Sequence, residues 1–191
     1  RELGGPVVLK LSAPGLLHKS EAGALALSLD DEDAVRAAFE RLAAIEAPVR
    51  GRVLVELMAE PGAELLLAAG RHGVVPSLAI GFGGIWAEAL DDVAVTPLPV
   101  SPERAERAIR SLRAAPLLTG GRGGAPLDIA AAATMAAAVG DVVLEQGLSL
   151  LEVNPATVGR HGCVALDAVA RRATANGRAS SRPAILSAAT R

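Results

Sequence analysis

Aromatic side chains are nearly absent from this 191-residue chain, which has two Phe, one Trp and no Tyr. Stacking platforms for single-stranded nucleic acid need several such rings, so their scarcity argues against that ligand. No basic excess compensates. Nineteen Lys and Arg stand against 21 Asp and Glu, for a formal net charge of -2, whereas nucleic-acid binding leaves a basic footprint. The single cysteine, Cys163, excludes an internal disulfide and a cysteine-rich zinc site. A reducing, cytoplasmic setting is compatible with that. No apolar run reaches the roughly 18 residues a membrane-spanning helix needs, and the N-terminus lacks a signal-peptide pattern.

Aliphatic residues make up for the missing rings. The chain is 51% hydrophobic, enough to bury a sizeable core built from Ala, Val, Leu and Ile. Its length suits one domain or two small subdomains. Val7 to Leu11 reads as a buried strand carrying one lysine, and Leu25 to Leu29 as a second strand. Between them, residues 12–24 form a polar loop. Asp31 is positioned to cap a helix on which Val35, Phe39, Leu42 and Ile45 recur at helical spacing. Val53 to Met58 and Glu64 to Ala69 flank Pro61-Gly62, a hairpin signal. Val74 to Ile80 and the segments 85–90 and 93–98 read as further strands around the loop Gly81-Phe82-Gly83-Gly84.

Ser101 and Pro102 open a helix that runs to about Arg113. A Gly-rich stretch with Arg122 follows, and Asp128 caps an Ala-rich helix to about Val139. Leu148 to Asn154 and Cys163 to Asp167 read as a strand pair. The expected class is α/β, or α+β, with two small subdomains of mixed or antiparallel sheets and flanking helices. The expected division is 1–50, 51–172 and a flexible Ala/Ser/Arg-rich tail, 173–191. Because the chain enters its first strand almost at once, it reads as a fragment of a longer polypeptide.

Lys10 is the first residue with chemical promise. A lysine in an apolar strand needs a partner, and a phosphate would serve, with backbone N–H groups of the following Ser/Gly loop covering it. The ordinary alternative is a lysine snorkelling at a strand edge. Glu152 and Asn154 lie two apart on a strand and so share a face, and Asp167 ends the neighbouring strand pattern. Such oxygens suit magnesium, which takes one or two carboxylates and completes its shell with water and phosphate. A polar strand end, with Asp167 capping a following helix, is the simpler account. Glu56 and Glu64 flank the expected hairpin, where a strand edge and a carboxylate can meet a base and a ribose; solvated glutamates are the alternative. His18 is able to act as a base or carry a phosphoryl group, although a loop histidine is more often merely solvated.

The order and wording of these segments carry a resemblance. Pro6 to Ser12, with His18-Lys19-Ser20 and Gly23, resembles a segment of the ATP-grasp domain of NDP-forming acyl-CoA synthetases, a family that includes the ADP-forming acetate–CoA ligases and is related to the succinyl-CoA synthetase beta subunit. Val53 to Met58 with Gly62-Ala63-Glu64 resembles the family's adenine hinge and ribose glutamate. Gly81 to Ile85 with Glu88 and Asp92-Val93-Ala94, Gly121-Arg122-Gly123, Glu152-Val153-Asn154-Pro155 and Val164 to Asp167 resemble further motifs in the family's order. The match covers about residues 1–172.

The resemblance implies an ATP-grasp-like fold, N-terminally truncated. It also implies ATP or ADP with Mg2+ as ligands, and CoA-binding and CoA-ligase domains as partners in the same longer chain or a second subunit. Lys10 would then hold nucleotide phosphates, with Glu56, Met58 and Glu64 near adenine and ribose. Asn154 and Asp167 would bind magnesium with Glu152 close by, and His18 would relay the phosphoryl group. The isolated chain is expected to be inactive. Departures from the family pattern, such as His72-Gly73 after Arg71 and Ala156 after Pro155, keep open a non-catalytic scaffold or regulatory module. A carboxylate–amine ligase is a third option, against which the His-Lys-Ser segment argues.

Overall fold

The structure is a computed structural model that describes residues 3–13, 16, 22–45, 51–71, 73–83, 91–172 and 184–185. The chain divides into two compact units, Arg1–Ala59 and Glu60–Arg191.

The first unit holds β1 (Val7–Ser12), β2 (Leu25–Leu29), α1 (Glu32–Ala43) and β3 (Arg52–Leu57). Its sheet has the order β2-β1-β3 and is antiparallel throughout. Asp31 starts α1 by accepting a hydrogen bond from Ala34 N at 2.8 Å, which satisfies one of the donors a helix start leaves open. Ala38 and Leu42 of α1 pack on Val7, Leu9 and Ala26, with Val35 and Ile45 alongside. Phe39, expected on the same stripe, is instead 49% exposed. β3 pairs with β1 along its whole length and so belongs to the first unit, which moves the division of the chain from the expected 50/51 to 59/60.

That pairing also overturns the expected hairpin. β4 (Ala63–Gly70) pairs with β5 (Ser77–Phe82) and with β7 (Leu148–Val158), in a different sheet from β3. Gly62 is not a hairpin turn residue; a Cβ there would run into the Val158 carbonyl. The glycine therefore marks a close approach of two backbones, which a turn signal in sequence does not distinguish from a reversal.

The second unit adds β6 (Val93–Pro97), α2 (Pro102–Arg110), α3 (Ile129–Glu145), β8 (Cys163–Ala165), β9 (Ala168–Arg172) and the two-residue β10 (Ala184–Ile185). Among the described residues its sheet runs β10-β9-β7-β4-β5-β6, with β8 also on β7. Period-2 alternation sends Leu65, Leu67 and Ala69 of β4, Leu78 and Ile80 of β5, and Leu151 and Val153 of β7 into one core. Ala105 and Ile109 of α2 and Ala132, Ala133, Ala136 and Val143 of α3 close it. Each fully buried leucine contributes about 1.5–3 kcal/mol of transfer free energy. With so few rings, alanines let α3 lie close to the sheet.

Ser101 and Asp128 cap their helices as expected, Asp128 accepting from Ala131 N at 2.9 Å. α2 stops at Arg110, earlier than expected, because the Asp92 carboxylate takes the N–H groups of Arg113 and Ala114 at 3.0 and 2.8 Å. α3 runs six residues past Val139, to Glu145: Gly140 packs against Leu98 rather than ending the helix, and Gly147, at φ 60, follows its end. The strand expected at 85–90 and most of the tail from 173 lie outside the described residues. Among the described residues, no helix is long and apolar enough to cross a membrane.

Candidate functional site

In the first unit the candidate residues lie on β1 and β3. Val7 and Leu9 face α1, so alternation turns Val8 and Lys10 to the opposite face. Lys10 is buried, at 8% exposure. Its Nζ donates to Glu56 Oε2 at 2.7 Å. The register Val8↔Glu56 and Lys10↔Leu54 makes this a diagonal cross-strand pair. Two residues singled out separately in sequence are thus partners of each other.

Met58 N donates to Pro6 O at 2.9 Å, so its main-chain donor is used within the unit. Hydrogen-bonded and non-hydrogen-bonded pairs alternate along an antiparallel ladder. Leu57, opposite Val7, therefore turns its N–H and C=O toward the edge of β3 away from β1. Leu57 was not picked out in sequence, because strand register is needed to see it.

In the second unit the candidates share the face of the sheet opposite α2 and α3. Leu65, Leu67, Leu151 and Val153 point to the helices, which leaves Glu64, Glu152 and Asn154 on the other face. β7 is irregular where Asn154 stands. Leu65 pairs with Ala156 and Leu67 with Val153, so Asn154 and Pro155 together oppose Leu66 in a β-bulge. On its other flank β7 pairs with β8 at Ala156–Val158 and with β9 at Leu148–Val153. Between these, Asn154 N donates to Asp167 O at 3.0 Å and Leu166 N to Pro155 O at 2.9 Å. Asn154 and Asp167 are therefore directly opposite each other, with Glu152 two residues along on the same face. A strand, β9, follows Asp167 in place of the helix that it was considered to cap; Asp167 Oδ1 accepts from Ala168 N at 3.1 Å.

Glycine shapes this neighbourhood. Gly83 N donates to Glu64 O at 2.8 Å, just past the Leu65↔Phe82 pair. A Cβ on Gly83 would stand 3.1 Å from Asn154 Oδ1 and 2.8 and 2.9 Å from the Leu65 carbonyl C and O. The carboxamide of Asn154 therefore reaches across β4 to the end of β5. Gly81 is similar in kind, its missing Cβ lying 3.0 Å from Asp92 O.

Asp92 itself is a structural clamp. Burial pushes its pKa up, but the N–H groups of Ala114 and Arg113 and the Arg113 guanidinium, 3.6 Å away, outweigh burial and hold it below the usual value. Arg113 Nη2 also donates to Asp91 O at 2.8 Å, across a residue with φ 41. Cys163, 3.6 Å from Met135 Sδ, has its thiol pushed up to about 11 by burial and by Asp128, which suits packing rather than reactivity.

Magnesium fits the second unit by donor chemistry. The oxygens of Glu152, Asn154 and Asp167 are hard donors on one face, in register, beside a cradle that a Cβ at Gly83 would fill. Among the described residues no group of three or more His, Cys, Asp or Glu side chains is placed to hold a metal ion. His18 and Glu88 lie outside the described residues, and Arg122 is described only as backbone of a 3-10 turn, Gly121–Gly123.

The comparisons with known proteins agree with one another. The family model for the ATP-grasp domain matches residues 1–171. The chain is 35% identical over 178 residues to a trans-feruloyl-CoA synthase of an unknown prokaryotic organism, which covers 88% of this chain and 25% of that one. It is 31% identical over 175 residues to the beta subunit of ADP-forming acetate–CoA ligase I of Pyrococcus furiosus, covering 87% of this chain and 75% of that subunit. Its fold superposes on dinucleotide forming acetyl-coenzyme A synthetase 1 of Ca. Korarchaeum cryptofilum, solved in complex with coenzyme A and Mg-AMPPCP, with TM-score 0.77 and 30% identity over 97% of this chain and 79% of that one. The chain thus spans a quarter of the synthase and three quarters of the beta subunit.

Proposed function

This chain belongs to the ATP-grasp domain family, and on that premise we propose that it supplies the nucleotide-binding part of an NDP-forming acyl-CoA synthetase. The reaction interconverts acyl-CoA, phosphate and ADP with the carboxylic acid, CoA and ATP. CoA-binding and CoA-ligase domains, in the same longer chain or a partner subunit, complete it, and the isolated chain does not turn over. A cytoplasmic location is part of the same proposal.

The observation that carries the reading is the cross-strand pair Asn154 and Asp167, with Glu152 beside it, in a chain similar to ADP-forming ligases. Asn154 and Asp167 hold Mg2+ and Glu152 stands near it. When bound, the ion neutralises charge on the nucleotide phosphates, which is the main requirement of phosphoryl transfer. Lys10 meets the phosphates, held in position by Glu56 at 2.7 Å. Glu64 accepts from ribose hydroxyls. With the Met58 N–H bonded to Pro6 O, the main chain of Leu57 reads the base edge while the Met58 side chain lies against the ring. His18 would take the phosphoryl group from a phosphohistidine of the CoA-ligase part, freeing that imidazole, and pass it to the terminal phosphate oxygen of ADP, which forms ATP and frees His18 again.

A non-catalytic module is the second reading. It draws on the Lys10–Glu56 pair, which already satisfies the two groups internally. Calorimetry with Mg-ADP and Mg-ATP separates the readings: saturable binding supports the first, and its absence overturns it. In a reaction completed with the matching CoA-ligase domain, His18→Ala abolishes ATP formation from acetyl-CoA, phosphate and ADP; unchanged turnover removes His18 from the relay.

A further inference from the structure

We propose that Gly83 is a positioning residue for the cation ligand Asn154, and that its lack of a side chain sets where the Asn154 carboxamide stands. The proposal rests on the nucleotide–metal reading above.

A glycine in a strand or at its end usually answers a need for positive φ. Gly83 has no such need, since it is not among the positive-φ glycines. Its φ does not call for glycine, so the requirement is for space. The space is specific. A Cβ would meet the carbonyl of Leu65 and, 3.1 Å away, Oδ1 of Asn154. Backbone of a paired central strand yields least, because β4 is bonded on both flanks to β5 and β7. The end of β5 must therefore give at Leu65, and the Asn154 carboxamide, 3.1 Å from the same Cβ, is the side chain displaced along with it.

The bulge at Asn154-Pro155 provides the other half of the arrangement. It re-aims the strand at the one residue whose side chain must cross β4, and Gly83 leaves room for the oxygen where that side chain ends. Gly81 is the matched control. It too lacks a positive φ, and its Cβ would be crowded, though less than at Gly83, standing 3.0 Å from Asp92 O and 3.1 Å from the side-chain atom Val93 Cγ2. Those atoms belong to β6 and its approach, not to the Asn154 neighbourhood.

The test uses Mn2+ as probe, titrated in the presence of ADP and followed by the electron paramagnetic resonance of the free ion. Gly83→Ala is expected to weaken Mn2+ affinity about 10- to 100-fold, as loss of a ligand's support does, and Gly81→Ala by less than about threefold. In an Asn154→Ala background Gly83→Ala adds nothing, because a residue acting through Asn154 has no further effect once that side chain is gone. Equal losses in the two glycine variants, or additive losses with Asn154→Ala, overturn the proposal alone. A parent protein that binds no Mn2+ with ADP overturns the metal reading and the proposal together. Should Gly83→Ala fail to fold, the parent decides: bound Mn2+ with ADP broadens the Asn154 side-chain amide and the Gly83 amide resonances before that of Gly81, and the reverse order overturns the proposal.

Discussion

In the first unit, Lys10 and Glu56 meet across a ladder of six consecutive antiparallel pairs without a break. In the second, Asn154 reaches its neighbours through a bulge, opposite a two-residue step between β8 and β9, over a strand that a glycine leaves bare. The first arrangement follows from regular alternation and charge. The second depends on departures from regularity, held by a much larger core. A regular ladder fixes which residues share a face; only an irregular one redirects a single side chain while its neighbours stay packed.

The largest test of this contrast concerns the two cores. Leu42→Ala in the first unit and Leu67→Ala in the second each remove a fully buried side chain, at an expected cost of about 2–5 kcal/mol. Hydrogen exchange is expected to show the lost protection confined to the unit that carries the change. Protection lost equally across the two would break the comparison.

Asp92→Asn comes next. At neutral pH it costs about 1–3 kcal/mol, because the N–H groups of Arg113 and Ala114 lose a charged acceptor. The folded pKa of Asp92 is lowered, so its contribution is fully present above its unfolded value, about pH 4. It is lost as pH falls through the lower, folded value. Urea denaturation should therefore find the gap between Asp92→Asn and the parent wide at pH 7 and narrowing below about pH 4. A constant gap would mean that charge is not what Asp92 contributes.

Helix caps offer a comparison of like with like. Asp31→Ala and Asp128→Ala each remove one carboxylate–N–H bond, at 2.8 and 2.9 Å, and each is expected to cost about 1 kcal/mol by thermal or chemical denaturation. The exposed cap Asp31 should lose less than the part-buried Asp128. The smallest effect is the Lys10–Glu56 coupling. With the Glu56 side chain 36% exposed, solvent screening limits a double-mutant cycle of Lys10→Met and Glu56→Gln to about 0.2–1 kcal/mol. A coupling well above that would mean that the first unit holds this pair more tightly than a regular ladder requires.

The regular parts were legible in the sequence. The strands at Val7 and Leu25, the three helix caps and the shared face of Glu152 and Asn154 all follow from period and capping chemistry. The opposition of Asp167 to Asn154 was foreseen only as reach across a hairpin, since register needs the fold. Pro61-Gly62 misled, because a turn signal and a close backbone contact call for the same residue. The helix expected to end at about Val139 runs on through Gly140, because in sequence a glycine ends a helix as plausibly as it seats one. Leu57, Gly83 and Asp92 are placed by neighbours far along the chain. Asp92 and Gly83 lay inside a motif whose wording was visible but whose physical purpose was not.

The two-residue step Leu166-Asp167 has a consequence for how this sequence can change. β8 and β9 lie along the same flank of β7 and keep one register on either side of that step. A single residue inserted there, unless a new bulge took it up, would slide β9 one place along β7. Every side chain of β9 would then change faces, bringing Val169 into the core and Ala170 out of it, while Asp167 lost its place opposite Asn154. Length variation in this chain should accordingly collect elsewhere, in the turns at 73–76 and 159–162, and deep insertion scanning should find the step at 166–167 closed to added residues.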